Sequence, residues 1–157
     1  MRKPVLAGFF FIMEIRELLT VEQMLTEIGV MQHLYPKLET VKYRSFLEQM
    51  VPNGYRQVGV FEDGKCIGLS GVWHNVKLWS GPYLELDNFV VAPEHRSKGV
   101  GKLICDYTEQ LAIRLGCTNI VLDAYTHNFP AHRFYYNQGY GPKGFHFVKI
   151  LNEDGLT

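Results

Sequence analysis

The sequence predicts a single α/β domain: a mixed, mostly antiparallel central sheet flanked by helices. Three observations carry that expectation. Segments of alternating apolar and polar residues are interleaved with segments whose apolar residues recur at helical spacing. An Asp63-Gly64 pair sits between two strand-like runs, as in a hairpin turn. The elements follow in the order strand, two helices, three strands, helix, strand, helix, strand, with no repeat, low-complexity run or linker between them.

The stretch MEIREL alternates as a half-buried strand does. Thr20 and Gln23 have capping-box spacing. After them Met24, Ile28, Met31 and Leu34 line one helical face, and Pro36 ends the helix. LETVKYRSFLEQM reads as a second helix, and YRQVGVFEDGKCIGLSGVW as the hairpin. HNVKLWSGP, with its Gly and Pro, reads as a loop leading into the strand YLELDNFVV. VGKLICDYTEQLAIRLG has a helical rhythm closed by Gly116. NIVLDAY is a strand by its aliphatic content. NFPAHRFYYNQG is a short helix, with Asn128 as cap, Pro130 in the first turn and Gly139 as its stop. FHFVKIL closes the fold as a strand.

Of the 157 residues, 46% are hydrophobic and 20% charged, a composition that folds rather than stays disordered. The 16 basic and 16 acidic residues balance, which argues against nucleic-acid binding. Cys66, Cys105 and Cys117 are odd in number and lack CxxC spacing, so neither a disulfide framework nor a zinc knuckle is expected and a cytoplasmic setting fits. MRKPVLAGFFFIM superficially resembles a signal peptide, but Glu14 and Arg16 interrupt it and the run is too short to span a bilayer. Residues 1–12 are read as an extension, Met13 as an alternative start, and 13–157 as the domain. No membrane partner is expected.

The corner VVAPEHRSKGVGKL carries chemistry. A helix N-terminus presents unpaired N–H groups and partial positive charge. Glycines allow close backbone approach, and Arg96 and Lys98 add positive charge. A phosphate cradle and a tight turn with solvated basic residues both fit these features. A P-loop is excluded, because Gly101-Lys102 is followed by Leu103. A dinucleotide fingerprint is excluded too, because Ile104 stands at the third glycine's place. What remains is Arg96-x-x-Gly99-x-Gly101 after a strand.

That pattern resembles the acetyl-CoA motif of the GCN5-related N-acetyltransferase family. NFPAHRFYYNQGY is similar to a second family segment, matched by Asn128, Ala131, Phe134, Tyr135, Gly139 and Tyr140. The separation of the two also fits, so the resemblance covers nearly the whole chain from Met13. It implies acetyl-CoA as co-substrate and no metal. It places the CoA pyrophosphate on the amides of Arg96, Ser97, Lys98, Gly99, Val100, Gly101 and Lys102. The pantetheine arm would lie along Phe89, Val90 and Val91 like an added strand, with an N–H near Val90 polarising the thioester. Asn128, Ala131 and Phe134 would border the arm.

An aliphatic amine, with a pKa of about 10.4, is protonated at pH 7, so a base must take its proton. Glu85 and Asp87 share one strand face, and either serves. Tyr135 matches the family's general acid for the departing thiolate, with Tyr136 as its packing neighbour. His127 and His132 lack further ligands at metal spacing. His74, Trp73, Trp79 and the segment His33–Tyr43 lie where the family walls its acceptor pocket, although solvent-facing loop residues fit them as well. The expectation is an enzyme that acetylates a primary amine of a small molecule. The alternatives are a protein Nα- or lysine acetyltransferase and a non-catalytic acyl-CoA sensor. FHFVKIL is apolar enough to allow a homodimer.

Overall fold

The computed structural model describes residues 12–152; the expected extension lies almost wholly outside them. Strand β1 (Met13–Leu18) leads to three helices, α1 (Val21–Thr26), α2 (Ile28–Met31) and α3 (Thr40–Met50). Then come β2 (Tyr55–Glu62), β3 (Lys65–Lys77), β4 (Gly81–Val91), α4 (Val100–Arg114), β5 (Asn119–Leu122) and α5 (Phe129–Asn137). The sheet runs β1-β2-β3-β4-β5, antiparallel through β4, with β5 parallel to β4 across the α4 connection. This is the mixed, mostly antiparallel sheet that the sequence implies.

The capping box forms as read. Gln23 N–H donates to Thr20 Oγ1 (3.3 Å), and Thr20 N–H donates back to Gln23 Oε1 (3.1 Å). The single helix expected after it is broken at Glu27, whose backbone (φ −99°, ψ 17°) separates α1 from α2. The break turns the buried face, so Val30 and Met31 pack inward while Leu34 is largely exposed.

Two further differences have physical causes. HNVKLWSGP is not an irregular loop: β3 and β4 stay paired out to Lys77 and Gly81, leaving only Leu78, Trp79 and Ser80 as the turn. Asn75, Val76 and Lys77 are all exposed, so burial imposes no alternation there for a sequence reading to detect. Thr118 Oγ1 donates to the carbonyls of Ser80 and Pro82 and ties this turn to β5. FHFVKIL forms no strand. Phe145, Phe147 and Val148 are exposed, and no neighbouring strand among the described residues offers them a ladder.

The sheet separates two apolar layers. On one side Met24, Met31, Leu47, Tyr55 and Leu69 pack beneath α1–α3. On the other, Val58, Val72, Leu84 and Leu86 meet Leu111 and Ala112 of α4, and Val60 and Ile67 meet Val100 and Ile104. Burial of each such aliphatic side chain contributes about 1.5–3 kcal/mol.

Tyr55 lies flat across Gly71 of β3, its ring filling the space that a Cβ there would need. Gly71→Ala is therefore expected to cost about 1–3 kcal/mol. Urea unfolding should show this as a lower midpoint with an unchanged slope.

Candidate active site

The site begins where β4 changes register. Gly71 pairs with Asp87 and Leu69 with Val90, so three steps along β4 oppose two along β3. The extra residue is Asn88, which takes a left-handed backbone (φ 53°), a conformation that asparagine tolerates better than most residues. This bulge has two effects.

The first concerns side chains. Leu86 points toward α4, and Asp87 and Asn88 then both lie on the α1–α3 side. Phe89 returns to the α4 side and Val90 to the α1–α3 side. Asp87 Oδ2 accepts from the Trp73 indole N–H (3.1 Å), and Asn88 Oδ1 accepts from the Tyr35 hydroxyl (2.9 Å). Burial, with a contribution from the Asp87 charge, raises the Tyr35 pKa and keeps that hydroxyl a donor. Glu85, one strand pair further out, faces Lys77 at 3.8 Å. Tyr35 and Trp73, two aromatics from the segments expected to wall a pocket, thus both reach the carboxylate strand. Trp79 lies in the exposed β3–β4 turn.

The second effect concerns the backbone. β5 pairs with β4 only from Tyr83 to Leu86. Beyond that, the outer edge of β4 has no strand partner among the described residues. Ala92 N–H donates to Ile67 of β3 (2.9 Å). Because backbone groups alternate along a strand, Val90 also faces β3, whereas Phe89 and Val91 face the open edge. The amides free to polarise a bound carbonyl are therefore those flanking Val90, not its own.

The edge leads into the basic corner. Ser97 (φ 59°) and Gly99 (φ 85°) are both left-handed. Gly99 stands at the α4 N-cap with no side-chain cap, and the first helical bond from Leu103 reaches its carbonyl (3.0 Å). The N–H groups of Val100, Gly101 and Lys102 precede that bond and point out of the helix end. The glycines differ in purpose. Gly99 supplies the backbone turn, whereas a Cβ on Gly101 would come within 3.0 Å of the Phe134 ring and 3.6 Å of Phe89. Arg96 turns its Nε back to the Val91 carbonyl (3.2 Å), and Lys102 pairs with Asp106 (2.6 Å). Both side chains are thus engaged within the chain, while the amides at the helix end have no side-chain cap.

Helix α5 closes the far side. Asn128 Oδ1 caps it by accepting from Ala131 N–H (3.2 Å). Phe89 meets the Phe134 ring at 5.8 Å and the Tyr135 ring at 5.9 Å. Tyr135 is turned inward and Tyr136 is exposed. Burial raises the Tyr135 pKa and holds the phenol in its protonated form. Burial also pushes the Cys66 and Cys105 thiols up to about 12, which makes both poor nucleophiles. Among the described residues, no three His, Cys, Asp or Glu side chains gather as a metal site, and no helix is long and apolar enough to cross a membrane.

Comparison with known proteins agrees with this geometry. The family model described as Acetyltransferase (GNAT) family matches residues 18–140. An uncharacterized N-acetyltransferase of Bacillus subtilis, YhdJ, is 27% identical over 121 residues, covering 76% of this chain and 85% of that protein. The aminoglycoside N-acetyltransferase AAC(6')-Iy, solved in complex with CoA, superposes with a TM-score of 0.79 at 19% identity, over 94% of this chain and 100% of its own. Glucosamine-6-phosphate N-acetyltransferase from Arabidopsis thaliana gives 0.71 at 20% identity, over 90% and 99%.

Gly99→Ala places a Cβ on a left-handed residue, at an expected cost of about 1–2 kcal/mol. Its melting temperature should fall by about 2–8 °C. Gly99→Asn, better suited to that backbone, should fall less.

Proposed function

The chain belongs to the acetyltransferase (GNAT) family, and we propose that it transfers the acetyl group of acetyl-CoA directly to a primary amine of a small molecule. The observation that carries this reading is the open outer edge of β4 that runs on into the end of α4, where no side chain among the described residues caps the helix. A cofactor with peptide-like amides at one end of its arm and a pyrophosphate at the other matches such a run.

The pyrophosphate fits the amides from Ser97 to Lys102, where Gly99 and Gly101 leave the backbone bare. The arm fits the outward N–H and C=O of Phe89 and the N–H of Val91, whose carbonyl Arg96 Nε already holds, with Asn128, Ala131 and Phe134 along its far side. Bound there, acetyl-CoA supplies an activated acyl carbon. The amide of Phe89, beside the bulge, donates to the carbonyl oxygen as negative charge develops on it.

Asp87 is the proton acceptor. It stands one residue before the bulge, while Glu85 lies further out and faces Lys77. The ammonium gives one proton to the Asp87 carboxylate; the free amine then forms the C–N bond, and the second proton on that nitrogen leaves to solvent. The C–S bond breaks, and the sulfur takes a proton from the Tyr135 hydroxyl, which solvent restores. The raised pKa keeps the Tyr135 phenol protonated as the pH rises through the ordinary tyrosine range, while making it a weaker acid toward the thiolate. Asp87 with Glu85 makes the acceptor side acidic, which favours a cationic amine.

Thermal melting with acetyl-CoA, CoA, ADP and NADH tests the reading. A rise with acetyl-CoA and CoA but not with NADH is expected; no rise with either CoA species overturns it. Tyr135→Phe should keep the acetyl-CoA shift and lower turnover by about ten- to a hundred-fold, read as free-thiol release.

A further inference from the structure

We propose that Trp73 is a positioning residue that selects which oxygen of Asp87 receives the amine proton; this rests on the reading of Asp87 as the base. The indole N–H occupies Asp87 Oδ2 at 3.1 Å. Oδ1 takes no hydrogen bond from the described residues. A carboxylate attached to a strand is otherwise loosely oriented, because its terminal torsion is broad. One held oxygen fixes the carboxylate plane and leaves the other as the accepting atom.

The chemistry of the donor gives the assignment its direction. Indole nitrogen donates and never accepts, so Trp73 cannot relay a proton away from Asp87. Oδ2 already carries the indole N–H, so the proton from the amine goes to Oδ1, which has no donor on it among the described residues and which the Trp73 contact turns away from itself. A histidine, tyrosine or water in the same place could pass a proton on, and the base would then have no preferred oxygen.

The indole is itself held. Trp73 pairs across the sheet with Tyr55, and the two rings lie 4.9 Å apart at 53°. Tyr55 is only 3% exposed and rests on Gly71, which in turn pairs with Asp87 on β4. Gly71 thus places the tyrosine that braces the indole against the carboxylate. The Tyr35 hydroxyl fixes the next residue, Asn88, from the same side. Lys77 satisfies Glu85, so the indole meets no competing carboxylate on the opposing strand.

The test compares Trp73→Phe, Asp87→Ala and the double variant with the parent protein. Acetyl-CoA is presented with sisomicin, spermidine and glucosamine 6-phosphate, and CoA thiol release is followed. With whichever amine is turned over, Trp73→Phe should lower kcat about ten-fold, less than the roughly 10²–10⁴-fold a proton-transfer group itself supplies. The KM for acetyl-CoA and the melting temperature should hold. In the Asp87→Ala background the same change should alter the residual rate less than about two-fold, because the residue it acts through is gone. An undiminished effect in that background overturns the proposal, as does a Trp73→Phe variant with the parent's kcat. Asp87→Ala at the parent rate overturns instead the base assignment beneath it.

The hydrogen bond is also read without any acceptor. The chain has two tryptophans, so a nitrogen-15 indole spectrum shows two N–H signals, and Trp79→Phe identifies the one from Trp73. Asp87→Ala should shift that signal and speed its exchange with water. An unmoved signal overturns the proposal.

Discussion

One extra residue in one strand organises everything functional in this protein. Three steps of β4 are set against two of β3, and the surplus is absorbed by Asn88 in a left-handed backbone. Strain of this kind, of order 1–3 kcal/mol, persists only where surrounding contacts hold it. Here the Tyr35 hydroxyl grips the Asn88 side chain, and the parallel pairing with β5 stops at Leu86, before the bulge begins. The same irregularity leaves an open backbone edge on one side of the strand and turns a carboxylate and an amide together on the other. A regular ladder would have sent Asn88 to the opposite face.

The corner after β4 shows why its two glycines are not equivalent. Gly99 takes a conformation that a side chain resists, in open space. Gly101 has an ordinary backbone but lies against Phe134 and Phe89. One glycine shapes the cradle and the other lets α5 close over it. The basic side chains that draw attention in the sequence are committed elsewhere, Arg96 to a β4 carbonyl and Lys102 to Asp106. The long-range attraction of an anion belongs to Lys98 and the helix end, and its fit belongs to the amides.

What was legible in the sequence was local. The Thr20–Gln23 capping box, the Asp63-Gly64 hairpin and the Asn128 cap are set by neighbouring residues, and each stands where the pattern puts it. The two family segments also gave a true account of the fold and the family, because their spacing reports how α4 and α5 converge on β4. The bulge was not legible. Nothing in LELDNFVV distinguishes an alternating strand from one with a surplus residue, since the surplus is defined only against β3. That is why the sequence placed the polarising N–H only near Val90, without assigning it to one residue of the apolar run. Trp73 was named only as a wall of the acceptor pocket, for a related reason: its bond to Asp87 depends on a cross-strand diagonal that no spacing along the chain encodes.

Phe89 joins the two halves of the site. The bulge returns its side chain to the α4 side, where it packs against Phe134 and Tyr135 together, while its amide looks out along the open edge. One residue therefore carries both an edge-facing amide and the ring against which the inward tyrosine rests. Any shift of β4 that relaxed Asn88 would move that amide and that tyrosine at once. The acid, oxyanion donor and base of the proposed mechanism thus share a single backbone irregularity. Their relative placement survives only as long as Tyr35 and Trp73 hold the strand from the opposite side.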